Sequence, residues 1–424
     1  MEEASKTISN CIKWSVIAIP ISVLVGVILL MLVSLIPDEC VSSGIQKSFE
    51  ILENENARYD WGYYFTHAYG ARTDTCGDSM LLLKLRSPDR LTFAQRFLHY
   101  GHSTRYWGGS AIFLRPFMSV ASLMQLRYIN LIIMSLLLWY ILIGLRERIG
   151  YGASFAFLIS IIIVNLFLSA WSIISAPPVL ISLSAMAWII KHYTGEISDY
   201  ALYGLFGVIG ILEGFFDSWS IFLITLELPL VLLLLINLLQ YGNLDVKRNF
   251  HLGIVAVLSW GMNYSVFWAI KWVLNLLVRM PVEKTSTGNE MLLWIFAEGD
   301  PLFHRENANR FTMLLKTLGC LLPTDGNSIP FVIAMVTVSL FAIVVVFFKK
   351  HIDLSHWKSL IPLFIYMVFL PIGTILFVWY WAYVHASVSA SRFHISWIFG
   401  FLAVFFTMIE RPVSWWMSDS PTKP

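Results

Sequence analysis

Charge is scarce in this 424-residue chain: Asp, Glu, Lys and Arg make up 13% of it, where soluble domains carry about a quarter. Too few polar side chains remain to cover a solvated surface, which excludes an ordinary water-soluble domain. Cysteine is equally sparse, with Cys11, Cys40, Cys76 and Cys320, and no Cys/His set has zinc-site spacing. Also missing are a Gly-rich phosphate-cradling loop, an internal repeat, a low-complexity tract and strand-length alternation of apolar and polar residues. These gaps argue against an ATPase, a soluble enzyme module and a β-barrel. Nucleic acid is not expected as a partner.

What is plentiful is hydrocarbon. Hydrophobic residues make up 57% of the chain and the mean hydropathy is +0.70. Runs of Leu, Ile, Val and Phe as long as a bilayer-crossing helix recur along the whole length. The expected fold is all-α: one integral-membrane domain over residues 1–424, a polytopic helical bundle of about ten spans. The spans are read at Trp14–Ile36, Tyr128–Leu145, Ser154–Trp171, Val179–Ile190, Ala201–Leu212, Ser220–Leu239, Leu252–Leu277, Phe331–Phe348, Leu360–Tyr380 and Phe393–Ile409. The first run is span-length and no small-residue cleavage site follows it, so a cleavable leader is not expected.

Short loops rich in Lys and Arg stay in the cytoplasm. Lys6, Lys13, Arg146, Arg148, Lys191, Lys247, Arg248, Lys349, Lys350, Lys358, Arg411 and Lys423 all fall on one side of this topology. Both termini are therefore predicted cytoplasmic. Two long loops, 37–126 and 278–330, are predicted outside, where Cys40 and Cys76 would form a disulfide or remain free thiols.

The first outer loop is expected to carry interfacial helices. Ser87-Pro88-Asp89 reads as a helix start, with Leu91, Ala94, Phe97 and Leu98 at helical spacing and Arg90 and Arg96 available to headgroups. A second amphipathic stretch, Tyr106–Met124, precedes the second span.

Ionisable groups converge on the outer face. Asp74 and Asp78 lie four residues apart in Thr73-Asp-Thr-Cys-Gly-Asp-Ser-Met80. They suit a general base with a partner acid, or an Asx turn or helix cap. Glu213 and Asp217 share one helical face if the fifth span continues that far, either in a cavity or solvated at the interface. Lys271 lies late in the seventh span, where snorkelling to the surface or meeting a lipid phosphate are the two readings. Arg105, Arg115 and Arg392 suit paired hydrogen bonds to phosphate, or structural and lipid-facing roles. His67, His99, His102 and His385 have no metal-ligand spacing. Participation of a divalent cation stays open.

The layout resembles the GT-C superfamily of integral-membrane glycosyltransferases, with catalytic acids in a large outer loop soon after the first span. The usual acidic pair there is adjacent or separated by one residue; here three residues intervene. The chain is also similar to bacterial multi-pass proteins through Tyr106-Trp-Gly-Gly109, Leu114-Arg-Pro116, Ser79-Met-Leu81, Phe215-Phe-Asp217 and Lys271-Trp272. The resemblance implies transfer of a sugar from a polyprenyl-phosphate-linked donor to a glycan, lipid or protein acceptor, outside a bacterial cell membrane. It assigns Asp78 as base and Asp74 as its partner, and places Arg105, Lys271 and Arg392 at the phosphate. His385, Glu213 and Asp217 join them as candidate substrate-binding residues. The rival expectation is a transporter or flippase of lipid-linked sugars built on Glu213, Asp217 and Lys271. A non-catalytic scaffold whose outer loops bind a partner is the third.

Overall fold

The computed structural model describes residues 2–54, 62–63, 72–73, 75–86, 91–100, 106–216, 221, 223–242, 244–278, 358–377, 392 and 394–410, with isolated positions between 315 and 339. These residues are helical apart from loops and one two-residue antiparallel ladder, Gly62–Tyr63 against Arg72–Thr73. The elements that matter here are α1 (Glu2–Ser34), α2 (Asp38–Asn54), α3 (Thr75–Lys84), α4 (Phe93–His99) and α5 (Ala111–Met118). They are followed by α6 (Leu123–Arg148), α7 (Tyr151–Ile163), a 3-10 segment (Leu166–Trp171), α8 (Ala176–His192) and α9 (Asp199–Phe216). The last are α10 (Ile224–Leu239), α11 (Val246–Leu277), α12 (Ile361–Phe377) and α13 (Ile395–Glu410).

Four helical stretches are long and apolar enough to cross a membrane: Ile12–Ser34 of α1, and α6, α9 and α11. Shorter apolar helices include α7, α10 and α13. Large apolar side chains such as Ile17, Leu24 and Ile28 on α1, and Ile132, Leu136 and Trp139 on α6, are exposed. A water-filled surface would penalise such continuous stripes, whereas hydrocarbon does not. The expected span at Phe331–Phe348 lies, apart from isolated positions, outside the described residues.

Packing follows from which faces are apolar. Every residue of α10 is buried, as expected of a helix that is hydrophobic all round. It forms the axis of the larger core, around which α6 to α9 and α11 to α13 contribute Leu183, Phe206, Val255 and Phe399. A second core joins α1 to α5 with the final turns of α9 and α11 and with Ile173 and Ile174.

Hydrogen bonds sort the helix termini into two ends. At one, Arg148 donates to the Tyr193 carbonyl (2.8 Å) and the Tyr241 hydroxyl (3.1 Å). A buried relay beside it runs from the Tyr193 hydroxyl to Asn237 (2.7 Å) and from Asn237 to Asn249 (2.6 Å), tying α8, α10 and α11. The opposite end holds the second core.

One local expectation needs correction, and three details were not read from the sequence. The stretch Ser154–Trp171 does not form one continuous helix: α7 stops at Ile163, Asn165 adopts a left-handed conformation (φ 51°), and the chain continues as the 3-10 segment. Asn tolerates this backbone region because its short amide bonds locally. The cap of α4 is Thr92, whose hydroxyl accepts from Gln95 N while the Gln95 side chain accepts from Thr92 N; Ser87–Asp89 lie outside the described residues. The stretch Tyr106–Met124 yields only the two-turn α5, and α6 begins at Leu123. Finally, α2 was not anticipated, although Val41, Ile45, Phe49 and Leu52 bury one stripe of it. Cys40, within α2, carries a free exposed thiol; the Cys76 side chain is outside the described residues.

Candidate functional site

Asp78 sits in the first turn of α3 and is fully buried. Its Oδ1 accepts the Ser172 hydroxyl at 2.9 Å and the Ile174 backbone N–H at 3.1 Å. Ser172 Oγ in turn accepts the Ser175 N–H at 3.2 Å. Both donors come from residues after Trp171, in the irregular turn between the 3-10 segment and α8. Arg127, buried on α6, donates to the Trp171 carbonyl at 2.9 Å and so satisfies the end of the 3-10 segment. Irregular backbone at this depth is tolerable because protein groups meet its polar atoms.

Beside this clamp lies a cavity of about 440 Å³ between α5, α6 and α8. Phe113, Phe117, Ile129, Ile133, Ile173 and Phe216 are among its walls, and among the described residues only Ser110 and Asn130 bring polar side chains. Asp78 is not a wall residue. Its link to the cavity is indirect: it accepts from the Ile174 N–H, and the preceding residue, Ile173, is a wall residue. Phe113, Ile129 and Ile133 are also exposed on the outer surface, so the hollow opens sideways.

Residues of three of the short motifs quoted from the sequence, Trp107 and Gly109, Phe215, and Lys271, meet in one hub. The Trp107 indole N–H donates to the Phe267 carbonyl at 2.9 Å, and the two rings stack at 4.8 Å. Gly109 N–H donates to the Phe215 carbonyl at 3.0 Å, and a Cβ on Gly109 would lie 2.4 Å from the Phe215 ring. Only glycine permits that approach. Lys271 is fully buried; its ammonium donates to the Leu98 carbonyl at the end of α4 and lies 5.9 Å from the Trp107 ring centre. It therefore does not snorkel.

Arg115 is likewise committed. It is buried, bonds the Val33, Ile36 and Leu85 carbonyls, and pairs with Asp38 at 2.8 Å, fixing the chain where α1 turns into α2. A guanidinium so occupied is a staple and not an open phosphate clamp.

Glu213 and Arg392 are both buried, on α9 and just before α13. The helix α9 ends at Phe216, and Asp217 lies outside the described residues, as do Asp74, Arg105 and His385. Among the described residues, no group of three or more His, Cys, Asp and Glu gathers where a metal ion could be held.

No protein-family model, curated protein or solved structure shows a significant match to the chain. Its function has to be argued from residues and their geometry. Sequence reasoning missed Ser172, Arg127 and the buried Glu227 of α10, whose Oε2 accepts the Ser396 hydroxyl at 3.0 Å. Glu227 alone carried a signal, an acid inside an apolar run.

Proposed function

We propose that the protein is an integral-membrane glycosyltransferase of the GT-C kind. It moves a sugar from a polyprenyl-phosphate-linked donor to a glycan, lipid or protein acceptor at the outer face of a bacterial cell membrane. Both termini lie in the cytoplasm in this reading, the bundle has about ten spans, and the short helices of the first loop lie at the interface. One observation carries it: a buried carboxyl, Asp78, is anchored to the loop that also walls a sideways-open apolar cavity suited to an isoprenoid chain.

In the reaction, an acceptor hydroxyl attacks the anomeric carbon as Asp78 takes its proton. The bond from that carbon to the lipid phosphate breaks and the phosphate leaves with the electron pair. Configuration inverts, since no covalent enzyme intermediate forms. Asp74 is the partner of the base, and Arg105 and Arg392 stabilise the departing phosphate. Glu213, Asp217 and His385 orient the sugar. Lys271 supports the site from behind, through α4 and Trp107.

The test is Asp78→Asn. The amide keeps an oxygen for the Ser172 and Ile174 donors but cannot take a proton, so transfer of labelled sugar from membrane donor lipids should vanish while expression and melting temperature persist. A normally active variant removes the mechanism. Counterflow of lipid-linked sugar in proteoliposomes without any new glycosidic bond would make the protein a transporter instead.

A further inference from the structure

At the end of the bundle opposite Asp78, α6, α7 and α13 enclose a groove of about 780 Å³. Its walls include Trp139, Ile143, Phe155, Leu158, Phe406 and Ile409, most of them also exposed on the outer surface. Two opposite charges line the same groove, Arg146 and Glu410. The Arg146 guanidinium lies 4.6 Å from the Tyr151 ring centre and, among the described residues, forms no ion pair. Glu410 receives the Tyr151 N–H on Oε1 at 3.0 Å and the Gly152 N–H on Oε2 at 2.7 Å, so both its oxygens are fixed. Gly150, at φ 139°, makes the turn that presents those amides, a conformation that side chains disfavour.

A guanidinium resting on an aromatic ring and a fixed carboxylate that share an apolar groove without pairing with each other are complementary to a zwitterion with a hydrocarbon tail. We propose that this groove binds one phospholipid with a primary-ammonium headgroup, a phosphatidylethanolamine, from the leaflet at this end. The phosphate lies on Arg146, which offers planar paired donors. The ammonium lies on Glu410, since a carboxylate offers about four lone-pair sites and the backbone uses two. The acyl chains run along Phe155 and Leu158. The inference is independent of the reaction at the other end.

Native mass spectrometry of the protein released from nanodiscs containing equal ethanolamine, glycerol and choline phospholipids reads retained lipid directly. The wild type should keep the ethanolamine lipid about tenfold over the others, matching one charge-assisted hydrogen bond. Arg146→Gln should lower retention of all three. Glu410→Gln should erase the preference for ethanolamine while phosphate binding persists. Leu158→Trp, which fills the groove without touching either charge, should displace the lipid. Melting temperatures check that each variant is folded, and Leu158→Trp keeps the test decisive if a charge variant is not. Equal retention of glycerol or choline lipid by the wild type overturns the proposal, as does retention unchanged in the Leu158→Trp protein. No retained phospholipid at all would assign the groove to another part of the chain and end it.

Discussion

Ser172 holds Asp78: its hydroxyl donates to Oδ1 at 2.9 Å across 94 residues of sequence, with the Ile174 amide as second donor. The bond fixes the orientation of a buried carboxyl from a turn that carries no ionisable side chain.

Ser172→Ala removes one of those donors, worth about 1 to 3 kcal/mol to a buried acceptor, and should lower sugar transfer about 10- to 100-fold. Ser172→Thr keeps the hydroxyl and should restore most of it. A structural role alone would shift melting temperature equally in activity-matched variants, so rescue by Thr, measured as turnover at saturating donor, separates positioning from folding.

Lys271 poses the second test. With its ammonium on the Leu98 carbonyl, Lys271→Met should leave that carbonyl unmet and cost about 1 to 3 kcal/mol. Amide hydrogen exchange should rise specifically across α4, Phe93–His99, while the Arg148 end stays protected. Unchanged exchange in α4 would show that the bond does not anchor it.

The contrast between Lys271 and Ser172 marks how far the sequence could be read. Hydropathy found the four helices long and apolar enough to cross a membrane, since long apolar runs have few alternatives. It suggested a snorkelling Lys271 and could not show what covers that side chain, because α4 reaches it from 173 residues away. Ser172 was illegible for a different reason. One left-handed residue, Asn165, breaks an apolar stretch whose composition reads as a single span, and a backbone turn leaves no trace in hydropathy. The short motifs held the right residues, Trp107, Gly109, Phe215 and Lys271, without revealing that they pack on one another. The stripe of α2, Val41, Ile45, Phe49 and Leu52, has helical spacing but was overlooked.

Gly109 should tolerate no side chain. In Gly109→Ala the new methyl would meet the Phe215 ring at 2.4 Å and the Phe215 carbonyl at 2.6 Å, and backbone cannot rotate away as a flexible side chain can. The expected cost is about 1 to 3 kcal/mol, read as a lower melting temperature in detergent. Pairing it with Phe215→Leu should recover part of the loss, because the ring is one of the two obstacles. Failure to recover any would put the whole cost on the carbonyl.

The last test concerns the Arg148 end and uses pH. Burial pushes the Tyr193 phenol from 10.0 up to about 12, with the Arg248 guanidinium offsetting part of the rise. Below about pH 10 the phenol is protonated in both folded and unfolded chains and contributes no slope. Between about 10 and 12 the unfolded chain loses this proton first, so folding stability must fall as pH rises through that window. Tyr193→Phe removes the titration along with the bond to Asn237. The variant should start less stable at neutral pH and show a shallower decline above pH 10, so that the two stability curves converge. Parallel curves would mean that the phenol titrates alike in the folded and unfolded chains, so that burial does not raise it.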